Sequence, residues 1–107
     1  MGFSVSERMK RVLEIVIEDY IRWAEPVGSR TISKKSNLNL SPATIRNIMS
    51  DLEELGLLFQ PYTSAGRIPT EKGLRFYIDS IINVHELSDH EQQEIRSKYL
   101  SHLIEGP

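Results

Sequence analysis

Three observations predict a mainly α fold carrying one short β-hairpin. Apolar residues recur at spacings of three and four through four long stretches and one short one of the 107-residue chain, as in helices that bury one face. A residue suited to capping stands ahead of each stretch: Ser6, Ser29, Ser41, Thr70 and Ser88. The rhythm breaks once, after Gly56. There Leu57, Leu58, Phe59 and Gln60, then Arg67 and Ile68, read as two short strands around a polar loop.

Residues 41–56, SPATIRNIMSDLEELG, carry a complete helix specification. Ser41 caps, Pro42 occupies the first helical position where its missing N–H costs nothing, and Gly56 closes the end. Ile45, Ile48, Met49, Leu52 and Leu55 form the inner stripe. Ala43, Arg46, Asn47 and Ser50 fall on the opposite side, toward the N-terminal end, while Asp51, Glu53 and Glu54 make the last turn acidic. Such a helix meets an anion with its first turns and repels it with its last. The same pattern also suits an ordinary core helix.

The other elements follow in order. Residues 6–24 form the core helix, with Met9, Val12, Leu13, Val16, Ile17, Tyr20 and Ile21 inward, Trp23 and Ala24 on the same face, and Ile15 off it. Pro26 and Gly28 force residues 25–28 into an extended segment. Ser29 caps a short helix over 30–36, and Asn37 and Asn39 make a turn with Leu38 and Leu40 pointing inward. Two helices joined by a tight polar turn are a helix-turn-helix, and the hairpin beside them, ended by Pro61 and Pro69 with Gly66 supplying a positive φ, is a wing. Thr70 caps a fourth helix to about 84, lined by Leu74, Tyr77, Ile78, Ile81 and Ile82. In it Gly73 permits close backbone approach and Phe76 faces away from the stripe. Ser88 and Glu91 form a capping box opening a fifth helix to about 104, whose seam of Ile95, Tyr99 and Leu103, widened by Leu100 and Ile104, docks on the first helix or on a second chain, with the second chain favoured. The expected fold is a winged helix-turn-helix, a three-helix core plus hairpin wing, over residues 1–84. Residues 85–107 are a helical extension serving as linker or dimerisation helix.

Composition narrows the function. The net charge of −2 hides a gradient. Residues 1–29 hold four basic and five acidic side chains, residues 30–75 seven and four, and residues 76–107 two and six. Charge is therefore positive around the helix-turn-helix, and screening beyond about 10 Å makes the local patch decisive. Without cysteine there are no disulfides or thiolate metal sites. His85, His90 and His102 are scattered, and His90 with Glu94 does not complete a metal site, so no cofactor is expected. No Ser/His/Asp arrangement or P-loop lysine supports an enzyme. The absence of a long apolar run and of a signal-type N-terminus leads to an expected cytoplasmic location.

The pieces EPVGSRT (25–31), SPATIRN (41–47), LEELGLL (52–58) and TSAGRIPT (63–70), in that order, closely resemble the N-terminal winged-helix domain of the HrcA family of bacterial heat-inducible transcription repressors. Asn37 and Asn39 stand where that family commonly has a glycine-containing turn, and Phe59 where a polar residue is common. The resemblance implies repression of heat-shock chaperone genes through an inverted-repeat operator bound by a homodimer. It also implies chaperonin acting on a large C-terminal regulatory region, so a chain ending at Pro107 is either the DNA-binding part of a longer repressor or a short protein with such a head. The alternative function is a winged helix used for protein–protein or RNA contacts.

The candidate DNA-binding residues then take distinct parts. Ser41 and Thr44 hydroxyls and the free amides of the helix tip meet a phosphate. Arg46 and Asn47 read guanine and adenine edges, with Ala43 and Ser50 on the same face. Ser29, Arg30, Lys34, Lys35 and the wing residues Thr63, Ser64, Gly66 and Arg67 hold the backbone; Arg67 can alternatively enter the minor groove. Arg46 has rival partners in Asp51 and Glu53.

Overall fold

Helix α1 (Glu7–Trp23) is the post on which the other elements lean. The computed structural model describes residues 5–36, 38–85 and 88–105. Ser6 Oγ accepts the Met9 N–H at 3.2 Å to start α1, and Ala24, in the left-handed region at φ 56°, returns its N–H to Tyr20 O to end it. Val12, Leu13, Val16 and Ile17 are buried as the spacing predicts. Ile15 is buried as well, because α1 meets α2, α3, α4 and β2 and so has more than one covered side. Trp23 and Ala24 depart from expectation and are exposed, since the chain turns away at Ala24.

Helix α2 (Ser29–Lys35) starts one residue earlier than expected. Gly28 is its cap, no side chain bonds the first amides, and Ser29 is the first helical residue rather than the cap. Seven residues cannot hold a helix alone; burial of Ile32 and the bond from Ser33 Oγ to Leu40 O at 2.8 Å supply the support. Asn39 takes the turn at φ 56°, with Leu38 and Leu40 packed against the core. Asn37, and the side chains of His85, His102, Leu103 and Ile104, lie outside the described residues. Helix α3 (Pro42–Glu54) follows its specification, with Ser41 as cap, Ile45, Ile48, Met49 and Leu52 buried, and Gly56 left-handed at φ 79°.

Strand β1 (Leu58–Phe59) is shorter than read from sequence, while β2 (Ile68–Pro69) has the expected two residues shifted by one, so Pro69 lies inside β2 rather than ending it. The Thr70 N–H bonds Leu57 O, so Leu58 and Pro69 face each other at a position without ladder bonds and the missing N–H costs nothing there. On the other edge of β2, Val27 exchanges both backbone bonds with Arg67 at 2.9 Å each. The segment over residues 25–28 is thus fastened to the wing by one antiparallel bridge beside the two-stranded sheet. The positive φ of the loop belongs to Ser64, at 71°, not to Gly66. Gly66 is needed for space: a Cβ there would stand 2.3 Å from Val27 O.

Helix α4 (Glu71–His85) is capped by Thr70, whose Oγ1 accepts the Gly73 N–H at 2.9 Å and donates to Gly56 O. Phe76, expected to face outward, is half-buried against the core, because α4 is flanked by α1, β2 and α5. Helix α5 (Asp89–Glu105) opens with both bonds of the capping box, Glu91 N–H to Ser88 Oγ and Ser88 N–H to Glu91 Oε1. The described part of its seam is partly covered within the chain. Ile95, Tyr99 and Leu100 pack against the core, and the Tyr99 ring meets Tyr77 edge-on at 5.5 Å between centroids. Tyr77 in turn donates its hydroxyl to Glu18 of α1 at 2.9 Å. Burial, and then that bond to a carboxylate, push the Tyr77 hydroxyl far above the ordinary phenol range and keep it a donor.

Gly73 is the tightest joint of this packing, since an added Cβ would stand 2.0 Å from Leu57 O. Gly73→Ala is expected to cost about 1–3 kcal/mol of stability by forcing α4 off the hairpin. Thermal unfolding followed by helix circular dichroism measures it; an unchanged midpoint would show that the Leu57 backbone yields freely.

Candidate nucleic-acid interface

Helix α3, the wing and the α1–α2 link wall one open cleft. Its lining comes from Gly28 and Ser29 of the link, Arg46 and Met49 of α3, and Gln60, Ser64, Ala65, Gly66 and Arg67 of the wing. Arg46 and Arg67, far apart in sequence, therefore face the same space. Gln60 Nε2 donates to Ala65 O at 2.7 Å and holds the wing loop closed at its base.

The tip of α3 offers fewer free amides than expected. Pro42 has none, the Thr44 N–H is taken by Ser41 Oγ at 3.2 Å, and Ile45 N–H bonds Ser41 O. The Ala43 N–H is left at the exposed end of the helix dipole. Ser41 also donates to Thr44 Oγ1 at 3.1 Å, which leaves the Thr44 hydroxyl hydrogen as a donor for an incoming anion. Arg46, Asn47 and Ser50 are exposed along the outer face with Ala43. Arg46 pairs with neither Asp51 nor Glu53; it has no hydrogen bond or ion pair among the described residues.

The remaining candidates divide. Arg30 and Lys34 are exposed on α2 without partners among the described residues. Lys35 is held by Asp19 of α1, so its charge is partly spent inside the protein. Thr63 and Ser64 are exposed at the wing tip. Arg67 is engaged rather than free, its Nε lying 2.9 Å from Glu53 Oε1. The sequence reading missed Gln60, Glu53, Met49 and the Val27–Arg67 bridge. Only Val27 carried a local signal, as a β-branched residue in a forced extended segment. His90 and Glu94 pair at 2.7 Å on an exposed face, and no group of three or more metal-binding side chains occurs among the described residues.

A helix-turn-helix whose second helix shares a cleft with a hairpin defines the winged helix-turn-helix class. Residues 4–80 match the family described as winged helix-turn-helix transcription repressor, HrcA DNA-binding. The chain belongs to this HrcA family. The heat-inducible transcription repressor HrcA of Syntrophobacter fumaroxidans is 58% identical over 99 residues, covering 92% of this chain and 28% of that protein. The repressor of the same name from Geobacter sulfurreducens is 55% identical over 95 residues, covering 89% of this chain and 28% of that protein. A solved crystal structure of a hypothetical protein superposes with a TM-score of 0.73 at 45% identity, over 80% of this chain and 27% of that one. The chain thus spans little more than a quarter of the curated relatives it matches. Among the described residues no helix is long and apolar enough to cross a membrane.

The wing's place depends on Gly66. Gly66→Ala is expected to break the exchange of bonds between Val27 and Arg67, because its Cβ would overlap the Val27 carbonyl. Amide hydrogen exchange at Val27 and Arg67 should then accelerate while α1 core amides keep their protection; unchanged protection at Arg67 would show that the wing is held by other means.

Proposed function

We propose that this chain is the DNA-reading head of an HrcA-type transcription repressor, acting in the cytoplasm on double-stranded operator DNA. The observation that carries the reading is a shared cleft in which Arg46, without a partner among the described residues, faces a wing fixed to the same frame. Helix α3 enters the major groove by its N-terminal turns, with the Ala43 amide and Thr44 hydroxyl on a phosphate. Arg46 reads guanine through O6 and N7 and Asn47 reads adenine through N6 and N7. Arg30 and Lys34 on α2, with Ser29, Thr63, Ser64 and Gly66 around the cleft, settle the backbone. Lys35 and Arg67 contribute after partial neutralisation by their acids.

One such helix reaches only three or four base edges, too few to single out an operator in a genome. We therefore propose that two heads act together as a homodimer on an inverted repeat, with half-sites one helical turn or a multiple of it apart. The genes controlled are, on this reading, those of the heat-shock response.

Selection of bound sites from a random duplex pool tests the function directly. The chain is expected to enrich one short motif, and its affinity for that duplex to fall steeply between low and moderate salt, with a slope of about −0.9 per neutralised phosphate. Arg46→Ala is expected to cost about 1–3 kcal/mol on the selected duplex and to relax preference at one base position. No enrichment, together with salt-insensitive binding to a protein or RNA, would replace this reading.

A further inference from the structure

One charged contact ties the wing to the last turn of α3, and the base-reading scheme above gives it no part. Arg67 of the wing holds Glu53, in the last turn of α3, through Nε at 2.9 Å. The arginine side chain is 15% exposed and the carboxylate 38%, so the pair is half sheltered rather than a loose surface contact. Among the described residues it is the one side-chain hydrogen bond running from the wing to α3. The Arg67 backbone is meanwhile fixed on both its N–H and its C=O by Val27. With its main chain tied to the α1–α2 link and its Nε tied to α3, Arg67 sets the distance between the wing and the face bearing Arg46 and Asn47. Arg67 also lines the cleft, and Glu53 is the one side-chain partner of its guanidinium among the described residues.

By charge alone Glu53 should hinder DNA, since a carboxylate near phosphate is repulsive. The geometry points to the opposite role: we infer that Glu53 is a positioning residue for base selection, acting through Arg67. It holds the guanidinium edge-on so that Nη faces the duplex, and it keeps the wing at the spacing that lets α3 seat at one depth in the groove. Discrimination between bases depends on that depth, whereas general attraction to phosphate does not. The inference rests on the DNA-reading function proposed above.

The test compares the affinity of the full chain for a selected duplex with its affinity for a scrambled one of equal length and composition. Glu53→Gln removes a negative charge, so affinity for the scrambled duplex is expected to hold or rise slightly. Affinity for the selected duplex is expected to fall, and the ratio of the two to drop about five- to tenfold. Arg67→Lys, which keeps the wing's charge and loses the Nε donor, should lower the ratio similarly. In an Arg67→Ala background, Glu53→Gln should lower it no further. Thermal unfolding of each variant identifies any loss that comes from the fold, and the lysine variant then carries the comparison if the glutamine one is unstable. A ratio unchanged in both single variants, or a second equal drop in the Arg67→Ala background, overturns the positioning role. Lack of discrimination by the unaltered chain instead overturns the DNA-reading function, and this inference with it.

Discussion

The single backbone bridge between Val27 and Arg67 is the constraint on which the reading surface depends. Val27 is buried, and its neighbours do different work: Pro26 keeps the chain extended, and Gly28 caps α2. One residue's main chain therefore fixes where α2 begins and where the wing stands. Since α2 packs on α3, the recognition helix and the hairpin share one frame rather than meeting as separate parts. Gly66 makes the contact possible, because any side chain at that place would occupy the volume of the Val27 carbonyl.

The electrostatics of the surface follow from pairing as much as from composition. The middle of the chain carries an excess of basic residues, yet two of them are bound to acids of other helices, Lys35 to Asp19 and Arg67 to Glu53. At the far end of α3 the carbonyls of Leu55 and Gly56 are covered by Lys72 and Thr70. The negative pole of that helix is thus partly quenched by the protein, while the positive pole stays open at Ala43. A chain with an overall negative charge can in this way present a face suited to an anion.

What was legible in the sequence is what is decided within a turn or two of chain. The caps at Ser6, Ser41 and Thr70, the reciprocal bonds of Ser88 and Glu91, and the inner stripe of α3 are local and appear as read. Gly73 was legible too, because a glycine inside a helical stripe signals close approach. The failures are contacts between distant segments. Val27 and Arg67 lie in separate elements, Tyr77 reaches Glu18 across 59 positions, and Arg67 reaches Glu53 across 14. Periodicity treats a helix as having one buried face, which is why it sets Ile15 and Phe76 off their stripes and leaves the α5 seam open between the first helix and a second chain. The excess of cations around the cleft was read without their partners, so Lys35 and Arg67 looked freer than they are.

The single tryptophan, Trp23, closes α1 with 60% of its surface in water. Its indole already sits in a polar medium in the folded chain, so its emission changes little when the core comes apart, and intrinsic fluorescence is a poor gauge of unfolding here. The same placement, four residues before Val27, makes it a native optical label for the edge of the reading frame, responsive to whatever covers that end of α1 and silent about the interior.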